Sequence, residues 1–193
     1  MQGVKALTHA TTRGHAAFLY DSLEERLEVL AHYFKEGIAN NELCVFVTAD
    51  PFEGVMASFY RAGFNAQQAI DDGQLRLFEM NATYLPGGEF ISDFMLKNVR
   101  DFIKEAKTDG FSGLRTAGDM SWIFAHRGVA DNAFHYESTV NGLGEKHPDF
   151  IGLCLYPVRE TFNNSLAQVL DTHPIYIYDG EPHRSPYYST ATA

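Results

Sequence analysis

Phe18-Leu19-Tyr20-Asp21-Ser22-Leu23-Glu24-Glu25-Arg26 is the stretch on which the fold turns. The apolar run Ala16 to Tyr20 stops at Asp21 and a helical pattern starts at Ser22, so a strand passes directly into a helix. Ser22 and Glu25 make a capping box, in which a hydroxyl and a carboxylate satisfy backbone N–H groups that the first helical turn leaves free. Leu23, Leu27, Leu30, Phe34 and Ile38 then recur at three- and four-residue spacing, one stripe facing a sheet, and Gly37 lies near the expected end of the helix. A phosphate-binding turn at such a junction needs glycines, for close approach of backbone N–H groups, and a lysine for charge. This one has neither, and Asp21, Glu24 and Glu25 already occupy the positive end of the helix dipole. The layout is that of a nucleotide-binding fold without its phosphate grip, which points to sensing or binding and away from ATP hydrolysis.

Beyond this junction the chain alternates short apolar runs with longer amphipathic stretches. Leu43 to Thr48 is apolar on both faces, as a central parallel strand is. Asp50-Pro51 offers a cap and a first-turn proline for a helix ending near Gly63. Gln74 to Glu79 reads as a third strand. Phe90 to Lys107 reads as a helix with Met95, Val99, Phe102, Ile103 and Ala106 on one face, closed by Gly110. Ser112 to Ala117 is a weaker fourth strand, Ala130 to Leu143 a helix, Phe150 to Tyr156 a fifth strand, Thr161 to Leu170 a helix and Ile175 to Tyr178 a last short strand. This rhythm predicts a three-layer α/β domain, a mostly parallel sheet with helices on both faces. One domain is expected over residues 15–180, with residues 1–14 and 181–193 as tails.

Composition narrows the function classes. A chain of 193 residues with 45% hydrophobic and 21% charged residues is a globular domain. The net charge of −10 repels phosphate backbones, so no direct nucleic-acid partner is expected. No apolar run approaches the ~18 residues of a membrane span, and no signal peptide is evident. Cys44 and Cys154 sit inside apolar runs, the pattern of buried free thiols in a cytoplasmic protein.

Ligands of open parallel sheets lie outside the carboxyl ends of the strands. That rule selects Tyr20 and Ser22 after the first strand, Asp50 after the second, Asp119, Met120 and Trp122 after the fourth, and Tyr156 after the fifth. Gly118-Asp119-Met120-Ser121-Trp122 has two readings: a ligand-facing loop, or an Asp cap with Trp122 folded onto the core. Glu137 and Asn141 share a helix face beside Tyr136 and reach either a pocket or solvent. His15, Cys154 and His173 are candidate polar groups for a site. Their spacing contains no C-x-x-C or H-x-x-x-H pair, so hydrogen-bonding histidines and an inert cysteine are expected, with no metal and no cofactor.

Taken in order, His15-x-x-x-x-Tyr20-x-Ser22 with Glu25-Arg26, Thr48-Ala49-Asp50, the Gly118 to Trp122 loop, Tyr136-Glu137 with Asn141, Leu153-Cys154-x-Tyr156 and Thr172-His173-Pro174 resemble the MEDS domain, the methanogen/methylotroph, DcmR sensory domain. The resemblance spans about residues 14 to 178. It implies a RecA-like or KaiC-like core that has lost its ATP-binding loop. It also implies a sensory role for small hydrocarbon-derived ligands such as halogenated one-carbon compounds. No helix-turn-helix precedes residue 15, so the expected output passes through a signalling or transcription-regulator protein in trans; a homodimer follows by analogy with RecA-like relatives that assemble.

Three functions compete on these grounds. A sensor would bind a small apolar ligand beside Tyr20, Met120, Trp122 and Tyr156, with Asp119, His15 and His173 setting polarity. A degenerate ATPase fold kept as an interaction module is the alternative. An enzyme ranks last, because no nucleophile, base and orienting group can be assembled from the sequence.

Overall fold

A computed structural model describes residues 14–126 and 128–189. Six parallel strands and one antiparallel strand form a single sheet in the order β3-β2-β4-β5-β1-β6-β7. The strands are β1 (Gly14–Tyr20), β2 (Leu43–Thr48), β3 (Leu75–Glu79), β4 (Leu114–Asp119), β5 (Phe150–Pro157), β6 (Ile175–Tyr178) and β7 (Glu181–Arg184). β2 is buried along its whole length and β5 along most of it, as their apolar runs require of strands covered on both faces.

Helices α1 (Leu23–Ala39), α2 (Phe52–Arg61) and α3 (Ala66–Asp71) cover one face. The other is covered by α4 (Met80–Tyr84), α5 (Ser92–Thr108), α6 (Trp122–Ala125), α7 (Ala130–Lys146), α8 (Val158–Asn164) and α9 (Leu166–Thr172). Side chains on β1 divide accordingly: Ala16 and Phe18 enter the first core, Ala17 and Leu19 the second. The three-layer, mostly parallel architecture is thus the expected one.

Several local features depart from expectation for physical reasons. Ser22 does cap α1, accepting from the Glu25 N–H at 3.1 Å, while Glu25 accepts from the Asp21 N–H at 2.8 Å, one residue before the usual partner. Gly37 lies near the end of α1, as expected, but is not its cap. A Cβ there would stand 2.6 Å from Cys44 Sγ and 2.8 Å from Arg115 Cδ, so the glycine lets the helix lie close against β2 and β4. The turn is made instead at Asn41, with φ 57°. Asp50 does not cap α2; Pro51 takes that position and Asp50 turns inward to a buried guanidinium. The expected helix over 161–170 is two helices broken at Ser165 (φ −147°), where Asn163-Asn164-Ser165 offers three weak helix formers in a row.

The sheet also continues past residue 180. β7 pairs with β6 across Asp179-Gly180, both with positive φ, and Ser185 then donates its N–H to Pro174 O at 3.0 Å. Asp-Gly is the residue pair such a two-residue hairpin favours.

Cys44 is fully buried, and burial pushes its thiol up to about 12. In the folded protein at pH 8, pulse alkylation followed by peptide mass mapping should leave Cys44 unmodified, with modification appearing only in urea. A Cys44 adduct formed at the rate of a free thiol would contradict this packing.

Candidate functional site

At the carboxyl ends of β1, β2 and β4, the edge at which open parallel sheets receive ligands, the structure places an internal ion pair. Arg26, in the first turn of α1, is only 3% exposed. Its guanidinium donates to Asp119 Oδ2 at 2.8 Å, to Asp50 Oδ2, and to the Tyr20 hydroxyl at 3.2 Å, and it lies 4.9 Å from the Tyr20 ring centroid. Thr48 Oγ1 donates to Asp50, and Asp119 Oδ1 accepts from the Ser121 N–H. Burial works against the charge on Arg26, but Asp119, Tyr20 and Asp50 outweigh it and hold its pKa above the ordinary value. Burial, followed by the charge of Asp119, pushes the Tyr20 phenol up to about 12. A cation fixed by two carboxylates is not itself free to meet a phosphate.

A second cluster lies on the α5/α7 face of the sheet. His15 from β1, Cys154 from β5, Glu137 from α7 and His173 from the α9–β6 junction bring one donor atom each to within 4.8 Å of the others. His15 Nε2 is 2.9 Å and His173 Nε2 3.0 Å from Glu137 Oε2, and His15 Nε2 is 3.0 Å from Cys154 Sγ. The two imidazoles lie against each other with centroids 4.2 Å apart. Gly152 lies against His15 and Phe150, where a Cβ would meet His15 Cδ2 at 3.4 Å and Phe150 Cζ at 3.2 Å.

The electrostatics of this cluster follow from its burial. Glu137 is 0% exposed, which alone would raise its pKa; His15 and His173 reverse the effect and hold the carboxyl far below the usual range. Burial and then His15 lower the pKa of His173. Burial, followed by the charge of Glu137, pushes the Cys154 thiol well up. Asn141 serves as a brace: its Nδ2 donates to Thr172 O at 2.7 Å and ties α7 to the segment that carries His173.

Next to the cluster is a cavity of about 340 Å3 between the sheet and helices α5 and α7. Val45 and Val47 of β2, Phe78 of β3, Tyr84 of α4, and Phe94, Met95, Val99 and Phe102 of α5 supply apolar walls. His15, Glu137 and Cys154 line it as well, so the polar cluster borders the apolar cavity. Gly118 lies on the sheet side of the cavity, and a Cβ there would stand 2.1 Å from Tyr84 Oη.

The candidate residues read from the sequence therefore fall into three sets. His15, Glu137, Cys154 and His173 converge, with Tyr156 packed edge-on against His173 at 5.7 Å between centroids. Tyr20, Asp50 and Asp119 converge separately around Arg26. Ser22 is an exposed cap, while Met120 (0% exposed) and Trp122 (1%) are core side chains that do not line the cavity. Trp122 is thus folded onto the core, but Asp119 does not cap the helix: Ser121 holds the N-cap position without a side-chain cap, and Asp119 pairs with Arg26 while accepting from the Ser121 N–H. The sequence places Arg26 in the family pattern and Met95, Val99 and Phe102 on one helix face, but gives neither a place in a site. Arg26 carried a signal, a lone cation among acids at the junction, whereas the wall residues read as ordinary core.

Fold and site together define a mostly parallel three-layer α/β domain with an internal ion pair at its strand ends and a cavity on one sheet face. The family model described as MEDS, MEthanogen/methylotroph, DcmR Sensory domain, matches residues 14–174, and the chain belongs to that family of sensory domains. Among solved structures it is similar to a KaiC-like protein of the hyperthermophilic archaeon Pyrococcus horikoshii OT3. The TM-score is 0.55 at 12% identity, covering 84% of this chain and 69% of that one, a likeness of fold. No curated protein matches the sequence. Among the described residues no helix is long and apolar enough to cross a membrane.

Proposed function

We propose that the chain is a non-catalytic sensory domain that admits a small apolar or hydrocarbon-derived ligand to the cavity between the sheet and α5/α7 and signals to a partner regulator in trans. The observation that carries this reading is the cavity itself. Its volume of about 340 Å3 suits a small molecule, its walls are aliphatic and aromatic, and a few convergent polar groups are available to fix orientation. A Cys154 thiol held well above its ordinary pKa is the opposite of an activated nucleophile, which favours a binding role over catalysis. Membership of a sensory family supports the same direction. Occupancy would alter the output only through different affinity for two conformations.

A thermal-shift panel of small halogenated compounds, alcohols and amines, with ATP–magnesium alongside, tests the proposal. A ligand at a hundredfold excess over its dissociation constant stabilises by about 2.7 kcal/mol, or about 5–10 °C for a domain of this size. Val99→Phe, which fills the cavity from α5, should abolish the response while leaving the circular dichroism unchanged; a response that survives the filling would place the ligand elsewhere. ATP–magnesium should produce no shift. Silence across the panel would favour a second reading, an interaction module. The feature that supports it is a groove between α1 and α2 lined by Leu23, Leu27 and Pro51, with Leu23 52% exposed.

A further inference from the structure

We propose that His15, Glu137, Cys154 and His173 form a binding site for one divalent transition-metal ion of borderline softness, zinc in the first instance. The site goes beyond the sensory reading and stands on its own geometry, whether or not the adjoining cavity takes an organic ligand.

Four side chains of metal-binding type, drawn from β1, α7, β5 and the α9–β6 junction, present one donor each around a common point. Two imidazole nitrogens, a carboxylate oxygen and a thiol sulfur match the mixed N/O/S set that zinc accepts in four-coordinate sites. Donors of a tetrahedral zinc ion stand about 3.3–3.7 Å apart, given bonds of about 2.0–2.3 Å. Here three of the separations are 2.9–3.0 Å and all lie within 4.8 Å, so shifts of under about 1 Å would suffice in most cases. With the thiol as thiolate and the imidazoles neutral, the ligands carry two negative charges, which a divalent ion cancels in a buried place.

A plain hydrogen-bond cluster accounts less well for the contacts. His173 Nδ1 lies 2.8 Å from Val169 O, and a carbonyl only accepts, so Nδ1 carries the hydrogen. In the neutral ring this leaves Nε2 with a lone pair aimed at the carboxylate oxygen 3.0 Å away. Neither that approach nor the one from His15 to Glu137 is aligned as a hydrogen bond, and His173 Nε2 and both Glu137 carboxylate oxygens have no aligned partner among the described residues. Close, convergent and unaligned donors are what a shared cation explains. A backbone carbonyl that fixes the outer nitrogen is, moreover, the usual support of a metal-binding histidine.

Cobalt(II) titration of chelator-treated, metal-free protein tests the site, with zinc as competitor. The expected result is saturation at one equivalent, visible bands of tetrahedral intensity, a near-ultraviolet thiolate-to-cobalt charge-transfer band, and loss of all of these on adding zinc. Cys154→Ser should remove the charge-transfer band and Cys44→Ser should keep it. Glu137→Gln and His173→Gln should each weaken binding by at least the roughly 10–100-fold that loss of a supporting partner costs. Failure of the wild-type protein to bind one equivalent, or a charge-transfer band indifferent to Cys154→Ser, overturns the assignment. These readouts need no organic ligand, so they fail independently of the thermal-shift panel.

Discussion

Replacing Arg26 with methionine is expected to lower the free energy of unfolding by about 3–5 kcal/mol, the cost of breaking a buried ion pair from one side. Methionine keeps much of the side-chain volume, so the loss isolates the charge. Without the guanidinium, Asp119, at 1% exposure, is a carboxylate with neither water nor a cation, and Asp50 loses the partner that drew it inward. Asp119 ends β4 and cannot turn to water without fraying the sheet, whereas Asp50, beyond the end of β2 and partly exposed, can, so the loss falls mainly on Asp119. Urea denaturation with an unchanged m-value would report the loss as a lower midpoint. Adding Asp119→Asn to the Arg26→Met background should recover part of it, because an amide is less costly to bury than an unpaired carboxylate. A single-variant cost below about 1 kcal/mol, the range of exposed pairs, would mean that water reaches the cluster and that the phosphate position is open after all.

That ion pair also bears on the functional reading. A strand-end position built to receive phosphate presents donors without acceptors of their own. Here the Arg26 guanidinium is committed to Asp119, Asp50 and Tyr20. The cavity lies instead over the sheet face, where α5 and α7 leave room above β2, β4 and β5. A small apolar molecule needs no helix dipole and no fixed cation, only a dry volume with a polar marker. A committed guanidinium at the strand ends and an apolar cavity on the sheet face are therefore compatible features of one domain.

The strands were readable because a parallel sheet buries both faces, and continuous apolar runs such as Leu43 to Thr48 and Phe150 to Tyr156 have few other uses. The three-layer architecture followed from their alternation with amphipathic stretches. What escaped notice is equally specific. β7 is short and exposed along its length, with no apolar alternation, so only Asp179-Gly180 announced it. α4 starts on Glu79, an uncommon capping residue, whose carboxylate accepts from the N–H groups of Asn81 and Ala82. The convergence of His15, Glu137, Cys154 and His173 could not be read from spacing, because four separate elements contribute one residue each and only strand order brings them together. A cavity leaves no mark on a sequence at all: Val45, Phe102 and their neighbours are the residues a filled core would also use.

Trp122 is where the two readings of one loop separate most sharply, and Trp122→Ala should cost about 3–5 kcal/mol of stability. A tryptophan on a ligand-facing loop could be truncated with the fold retained. In the structure it is 1% exposed, stacked on Tyr84 at 5.3 Å between centroids and tilted against Phe90 at 4.8 Å, so its removal leaves a void bounded by rigid rings. Its indole Nε1 has no hydrogen-bond partner among the described residues, so Trp122→Phe loses volume but no polar contact and should cost distinctly less than alanine. Tyr84, one of the stacked pair, also lines the cavity, and the alanine variant should therefore weaken ligand response by loosening the wall as well as the fold. Chemical denaturation of both variants, compared with their ligand-induced thermal shifts, separates the alternatives. A stable Trp122→Ala protein that has lost its response would return the loop to the binding surface, whereas an unstable one, with Trp122→Phe close to wild type in both measurements, follows from the packing seen here.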